Sequence, residues 1–364
     1  MVHPPGRRPT IRAGRISRLV TLAFLALVLS ACEYSSITID SPLTIFEPAG
    51  PFAEEIDGLF WPVFWTATVI FVLVQAALIF ILFKFRDRGQ ETEPKQVEGN
   101  AKLEVTWTVI PALILAAIAV PTVKSVFNLT SCGDDAMEVR VIGHQWWFEY
   151  QYPDYGVETA NVLVMPVGQE ICATMTSDDV IHNLWFPAMN GKRYLIPGQV
   201  TTLRLQADVE GEYWGHCGEF CGLSHSLMRT RAEVVSQSEF DAWITAQLAP
   251  AEIPTDGPAP QGWALFDEKG CSACHTVRTA EGTSGPADGD FQGPDLTHFS
   301  SRDVFAGAYL PWDTADGVEG ISYDEALAMW LANPPGVKPG SFMPNLDLTN
   351  DEINALIAWL ETLK

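Results

Sequence analysis

The stretch His216-Cys217-Gly218-Glu219-Phe220-Cys221-Gly222-Leu223-Ser224-His225-Ser226-Leu227-Met228 decides how the rest of the chain is read. Two thiols, an imidazole and a thioether fall within the twelve residues from Cys217 to Met228. Soft sulfur donors together with imidazole select copper, whereas zinc makes poor use of methionine. A disulfide between Cys217 and Cys221 would leave His225 and Met228 without purpose. Upstream, Asp179-Val180-Ile181-His182-Asn183-Leu184-Trp185-Phe186-Pro187 supplies a second imidazole, and Gly143-His144-Gln145-Trp146-Trp147-Phe148-Glu149-Tyr150 precedes it. A lone histidine at a strand end is usually structural; pairing with the sulfur-rich loop sets His182 apart.

The sequence around these motifs has a β texture. Glu138–Ile142, Val162–Met165, Glu170–Thr176, Thr201–Ala207 and Arg231–Val235 are rich in Val, Ile, Thr and Leu. Turn residues such as Pro153-Asp154-Tyr155-Gly156 and Pro197-Gly198 separate them. This spacing predicts an antiparallel β-sandwich or barrel over residues 129–248. Ser238–Leu248 closes it as a short helix.

Toward the N-terminus, Leu59–Phe83 runs 25 residues without a charge and Val105–Val123 runs 19. Both are long enough to cross a bilayer, so residues 50–128 read as a transmembrane hairpin. Lys84, Arg86, Arg88, Lys95 and Lys102 lie between the spans, which places that loop in the cytoplasm and the later residues outside. Pro111 and Pro121 stand in or at the end of the second span, where neighbouring helices must satisfy the freed carbonyls. Trp61, Trp65 and Trp107 sit near span ends as interface anchors.

Residues 1–31 read as a secretory signal: Arg7, Arg8, Arg12, Arg15 and Arg18 precede the apolar run Leu19–Leu29. Leu29-Ser30-Ala31-Cys32 resembles a bacterial lipobox, which favours Cys32 as a lipidated mature N-terminus over an incidental cysteine. The chain has 364 residues, is 47% hydrophobic and carries a formal net charge of −23. Its mean hydropathy is +0.09. Those values suit a few membrane spans with sizeable soluble parts. The acidity argues against nucleic acid and for a basic partner or plain solubility. Of seven cysteines, Cys132 and Cys172 belong to no motif; in an exported chain they either pair with each other or stay free.

Downstream, the Pro-rich stretch 249–260 reads as a stiff linker. Residues 261–364 open with Gly262-Trp263-Ala264-Leu265-Phe266 and then Cys271-Ser272-Ala273-Cys274-His275. That is the C-x-x-C-H sequence to which a c-type haem is covalently attached. Its two cysteines stand one helical turn apart, and the adjacent histidine faces the iron. Gly293-Pro294-Asp295-Leu296 follows. Thr349-Asn350-Asp351-Glu352 is a capping box, after which Ile353, Leu356, Ile357 and Leu360 recur on one helical face. The sixth iron ligand should be a methionine. Met329 lies in a helical run, Tyr323–Leu331, and suits core packing. Met343 lies in a Pro/Gly-rich loop before Pro344 and is favoured.

The motif Cys-x-Glu-x-Cys-x3-His-x2-Met, preceded by Asp-Val-Ile-His and Gly-His-Gln-Trp, resembles the dinuclear copper (CuA) domain of cytochrome c oxidase subunit II. The hairpin, with Trp107-Thr108-Val109-Ile110-Pro111, is similar to the same family, and the likeness covers roughly residues 50–235. The resemblance implies a cupredoxin fold in which Cys217 and Cys221 bridge two coppers and His182 and His225 cap one each. Met228 and the Glu219 backbone carbonyl would be weak axial ligands. The Glu219 side chain would help hold magnesium or manganese against subunit I, and Trp146 would be the tryptophan through which electrons arrive. Trp146-Trp147-Phe148 departs from the family's usual Trp-Tyr-Trp, which leaves Trp147 and Phe148 as core residues. Residues 261–364 resemble a small all-α class I cytochrome c, with Cys271 and Cys274 bound to haem and His275 and Met343 on its iron.

Together these features resemble the caa3-type haem–copper oxidases of bacteria. The implied partners are subunits I and III, a soluble or membrane cytochrome c or a bc complex as donor, and membrane lipid. A quinol oxidase subunit would lack the copper ligands. Nitrous oxide reductase would need a propeller domain for which there is no room. A membrane-anchored copper-delivery or thiol-redox protein is the alternative of a different class, and it would need no covalent haem.

Overall fold

The computed structural model describes residues 43–86, 98–286, 293–310 and 320–364, with Leu22 and Gln96. The expected signal segment, Leu22 apart, and Cys32 lie outside the described residues.

Two long helices come first, α1 (Pro51–Lys84) and α2 (Ala101–Thr130). At 1.5 Å per residue they are about 51 and 45 Å long, more than the roughly 30 Å of a bilayer core. Both carry an apolar window whose side chains are unburied in the isolated chain. Asn100 caps α2 by accepting from the amides of Lys102 and Leu103. The surplus length meets the soluble part. Phe52, near the start of α1, is buried, with the Arg204 guanidinium 4.2 Å from its ring centre. Arg204 also donates to the carbonyl of Asn128 at the end of α2 and forks onto Glu170 at 2.8 and 2.7 Å. Just beyond α2, Cys132 is disulfide-bonded to Cys172, which settles the question the sequence left open.

The next unit is a two-sheet sandwich. One sheet has the order β3 (Val157–Ala160), β2 (Trp147–Tyr152), β1 (Met137–His144), β5 (Ile171–Ser177), β8 (Thr201–Leu205). The other runs β4 (Val162–Pro166), β10 (Arg229–Val235), β9 (Gly211–Cys217), β6 (His182–Trp185), β7 (Arg193–Leu195). Strand β5 shows the strict alternation of a half-buried strand, with Ile171, Ala173, Met175 and Ser177 facing inward. The ladders β1/β5 and β4/β10 are parallel, because the chain changes sheets between their members; the other ladders are antiparallel. Tyr152 stitches the sheets, its hydroxyl donating to the Val164 carbonyl at 2.8 Å and accepting from the Val164 amide at 2.9 Å. Helix α3 (Gln237–Leu248) starts at a capping box made by Ser236 and Glu239 and lays Phe240 and Ile244 on the core.

The last unit is helical but not all-α as expected, since Val277–Thr279 and Gly282–Ser284 pair as a short antiparallel hairpin. Helices α4 (Ala259–Glu268) and α6 (Asn350–Leu360) cross closely at Gly262, where a Cβ would stand 2.1 Å from the Ala355 carbonyl oxygen. Trp263, Phe266 and Trp359 fill the crossing. The Thr349–Glu352 capping box starts α6, and Lys269 pairs with Glu352 at 2.5 Å to tie the two helices. Helix α5 (Tyr323–Ala332) begins at a third capping box, Ser322 with Glu325. The Pro-rich connection is not free of this unit: the Ala251 amide donates to the Arg278 carbonyl at 2.8 Å.

Candidate functional site

Strands β6, β9 and β10 end side by side, and their ends carry the sulfur-rich motif. Leu184 on β6 pairs with Cys217 on β9, and the Cys217 amide donates to the Met228 carbonyl at 2.9 Å. The intervening loop closes through a 3-10 turn, His225–Leu227. This arrangement gathers His182, Cys217, Cys221, His225 and Met228 into one cluster. The Cys217 and Cys221 sulfurs lie 3.8 Å apart and are not joined. His182 Nδ1 is 4.0 Å from the Cys217 sulfur, and His225 Nδ1 is 3.6 Å from the Cys221 sulfur. The Met228 sulfur is 3.9 Å from that of Cys221, and the Glu219 carbonyl oxygen is 3.2 Å from that of Cys217.

Bonds of about 2.0 Å to nitrogen and 2.3 Å to sulfur put two ligands of one ion within about 4.3 Å of each other for a nitrogen–sulfur pair and about 4.6 Å for two sulfurs. Every separation above meets these limits. The donor set of two thiols, two imidazoles, a thioether and a carbonyl fits copper. Cys217, Cys221, His182 and Met228 are all buried, so bulk water is kept out. The Cys221 thiol beside it, with the His182 ring, pulls the Cys217 thiol down, and Cys217 in turn pushes Cys221 up. Two sulfurs sharing one proton behave this way, and a cation between them replaces the proton. His182 Nε2 donates to Asp179 at 2.7 Å, which turns Nδ1 toward the sulfurs as a lone-pair nitrogen. The Glu219 carboxylate lies beside the Tyr194 hydroxyl, next to exposed Val180, Ile181 and Phe220.

The second centre is a cavity of about 1030 Å³ lined by Cys271, Cys274, His275, Met343, Leu296 and Trp330. His275 Nδ1 donates to the Pro294 carbonyl at 2.8 Å, so Nε2 is the lone-pair nitrogen. Burial lowers the His275 pKa and keeps the ring neutral, as a ligand must be. Two adjacent thiols, a neutral imidazole and a thioether around a largely apolar hollow fit a covalently held haem. Met343 lines the hollow, whereas Met329 sits on α5 away from it.

The cavity also has a wall from the sandwich. His144, Trp146, Trp147, Glu149 and Glu158 line it. Phe148 packs in the sandwich core as expected, but Trp147 does not: it stacks on His144 at 4.3 Å, facing the cavity. Burial, helped by Glu149 and Asp295, pushes the Glu158 carboxyl up to about 8. Trp146 is only 6% exposed, because the helical unit covers it. Sequence reasoning passed over Asp179, Lys338 and Phe342. Asp179 had a signal in its spacing three residues before His182; a lysine and a phenylalanine in a Pro/Gly-rich loop had none.

An apolar hairpin, a cupredoxin sandwich with a sulfur–imidazole cluster and a helical C-x-x-C-H domain on one chain define a membrane-anchored electron-transfer polypeptide. Family models agree: "Cytochrome C oxidase subunit II, transmembrane domain" matches residues 40–125, "Cytochrome C oxidase subunit II, periplasmic domain" 156–235, and "Cytochrome c" 259–364. Cytochrome c oxidase subunit 2 of Alkalihalophilus pseudofirmus is 36% identical over 96% of this chain and 97% of its own length. That of Bacillus sp. (strain PS3) is 34% identical over 77% and 79%. The solved periplasmic domain of subunit II of cytochrome oxidase of Bradyrhizobium japonicum is 29% identical, covering 33% of this chain and 96% of that one, with a TM-score of 0.31. The chain belongs to the cytochrome c oxidase subunit II family and bears a C-terminal cytochrome c domain. It is thus a membrane-anchored subunit of an oxidoreductase, with a periplasmic domain and a subunit I partner.

Proposed function

We propose that this chain relays electrons within a caa3-type oxidase, holding one covalent haem c and one dinuclear CuA centre. Electrons would run from a cytochrome c or bc-complex donor, through these two sites, to haem a of subunit I, where O2 is reduced to water with proton pumping. When bound, the two metal groups each take up and release single electrons without bond making. Everything else is done by the chain's own residues.

Cys271 and Cys274 would anchor the haem, and His275 Nε2 and the Met343 sulfur, both on the cavity wall, would be its iron ligands. Cys217 and Cys221 would hold the coppers between them through their sulfurs, His182 and His225 would each add an imidazole nitrogen, and Met228 and the Glu219 carbonyl would be the weaker donors. Two shared thiolates would let the centre take up and release an electron with little rearrangement of these residues. The Glu219 carboxylate, on the exposed side, would help hold magnesium or manganese against subunit I. Trp146 carries electrons toward the coppers. The functional units are the hairpin 50–128, the copper domain 129–248, the connection 249–260 and the haem domain 261–364. The loop between α1 and α2 faces the cytoplasm across a bacterial plasma membrane, Cys32 adds a lipid anchor, and subunit III is a neighbour.

The observation that carries this reading is the pair of unjoined sulfurs 3.8 Å apart with an imidazole nitrogen close to each. The test is metal analysis with optical spectroscopy of the purified oxidase. Two coppers and one covalent haem per chain are expected, with near-infrared copper absorption that Cys217→Ser or Cys221→Ser abolishes along with oxygen consumption. A single zinc, or oxygen consumption that survives loss of the copper, would overturn the proposal.

A further inference from the structure

The segment Lys338-Pro339-Gly340-Ser341-Phe342-Met343 belongs to the haem domain but lies across the copper domain. Lys338 is 3% exposed, and its Nζ donates to the Trp146 carbonyl at 2.5 Å and to the Ala306 carbonyl at 2.8 Å. The Ser224 hydroxyl donates to the Pro339 carbonyl at 2.6 Å. Gly340, at φ +83°, passes so close over the indole that a Cβ would stand 2.6 Å from Trp146 Cη2. The Phe342 ring then lies parallel to the Trp146 ring, with centres 6.3 Å apart and planes 9° off. On its other side, Trp146 Nε1 donates to the Cys221 carbonyl at 3.0 Å, and Gln145 Nε2 reaches the same oxygen at 2.7 Å.

A continuous chain of contacts therefore joins the two centres. Met343 on the haem cavity is covalently next to Phe342. Phe342 faces Trp146, and Trp146 is hydrogen-bonded to the backbone of Cys221. Tunnelling is far more efficient through bonds and hydrogen bonds than across gaps, and the only gap on this route is the one between two parallel rings. We propose that the stacked Phe342–Trp146 pair is the electron bridge from the haem to the copper centre. Lys338 is the positioning residue that holds the bridge, and the Met343 loop with it, in register. One electron leaves the ferrous haem iron and enters the copper pair; no bond forms or breaks and no proton moves.

This inference rests on the two-centre relay proposed above, and the experiment separates the two. The intact oxidase is photoreduced by a flash, and haem oxidation and copper reduction are followed at their own bands. Phe342→Leu, which keeps an apolar side chain without a ring, is expected to slow haem-to-copper transfer on the order of ten-fold or more, as small misplacements at a reacting pair do. Phe342→Tyr, which keeps the ring, is expected to restore the rate. Lys338→Met is expected to slow transfer as well. It is also expected to lower the haem potential and weaken the methionine–iron charge-transfer band, since the ligand loop loses its anchor. Transfer within two-fold of the parent in Phe342→Leu, with both cofactors retained, overturns the bridge. If Phe342→Leu sheds its haem, Phe342→Tyr decides: parental transfer supports the bridge, and slow transfer with full cofactors overturns it. An unchanged potential, band and rate in Lys338→Met overturns its positioning role. Failure of the underlying relay would look different, because the parent oxidase would itself lack the copper or haem bands.

Discussion

Asp179 shows how one side chain outside the cluster sets the cluster's chemistry. Its carboxylate accepts from His182 Nε2 at 2.7 Å, from the Gln145 amide at 2.6 Å and from the Val180 amide at 2.5 Å. Burial acts to raise its pKa, but the hydrogen bonds from His182, Val180 and Gln145 outweigh it and hold the carboxyl below its usual range. It therefore stays ionised, holds the proton of the neutral His182 ring on Nε2 and raises the basicity of Nδ1. Asp179→Asn keeps the shape but lets the ring choose the other tautomer. Copper affinity, measured by competition with a chelator, should fall by about 10–100-fold, the usual effect of removing such a carboxylate.

At the scale of elements, the membrane hairpin and the sandwich share a mount built on Glu170 and Arg204. Glu170 takes the Arg204 fork and accepts from the Gly133 amide at 2.9 Å, next to the Cys132–Cys172 disulfide. The hydrogen bond from Arg204 is the main reason its pKa is lowered. With the folded value depressed, the unfolded chain takes up the proton first as pH falls. The stabilisation is complete above the ordinary carboxylate range and fades as pH drops through the folded-state value. Glu170→Gln should melt at a lower temperature than the parent at pH 7, and the difference should close below about pH 4. A gap that persists in acid would place the effect in packing rather than charge.

At the scale of the whole molecule, the haem domain is seated on the copper domain. Arg231 on β10 is buried and pairs with Asp303 of the haem domain, the Arg229 amide donates to the Gly307 carbonyl at 2.9 Å, and Gln247 Nε2 reaches the Ser301 hydroxyl at 3.2 Å. On the proposed relay, with Trp146 covered, an external donor would approach the haem domain. Residues 249–364 carry 18 acidic against 5 basic side chains, a field that would favour a basic donor. The apparent KM for a basic soluble cytochrome should rise steeply between about 10 mM and 150 mM salt, as the screening length shortens from about 30 to 8 Å. A small uncharged reductant should show no such dependence. Equal behaviour of the two donors would remove electrostatic steering from the account.

The local chemistry of this protein was legible along the chain. The Cys-x3-Cys-x3-His-x2-Met loop, the C-x-x-C-H pair, the charge-free spans and the Thr349–Glu352 cap are all set by spacings of a few residues, and such spacings fold the same way wherever they stand. Half of the sandwich strands were legible too; β6 and β9 were not, because β6 has only four residues and β9 carries two glycines in its seven, and both merge into the ligand loops they support. What touches what across long stretches of chain was decided only in three dimensions. The Cys132–Cys172 bond, Trp147 facing the cavity rather than the core, and Lys338 reaching the backbone of Trp146 all join residues whose own neighbourhoods give no hint of a partner. Docking depends on the match between two folded surfaces, and no periodicity or motif within either one encodes it.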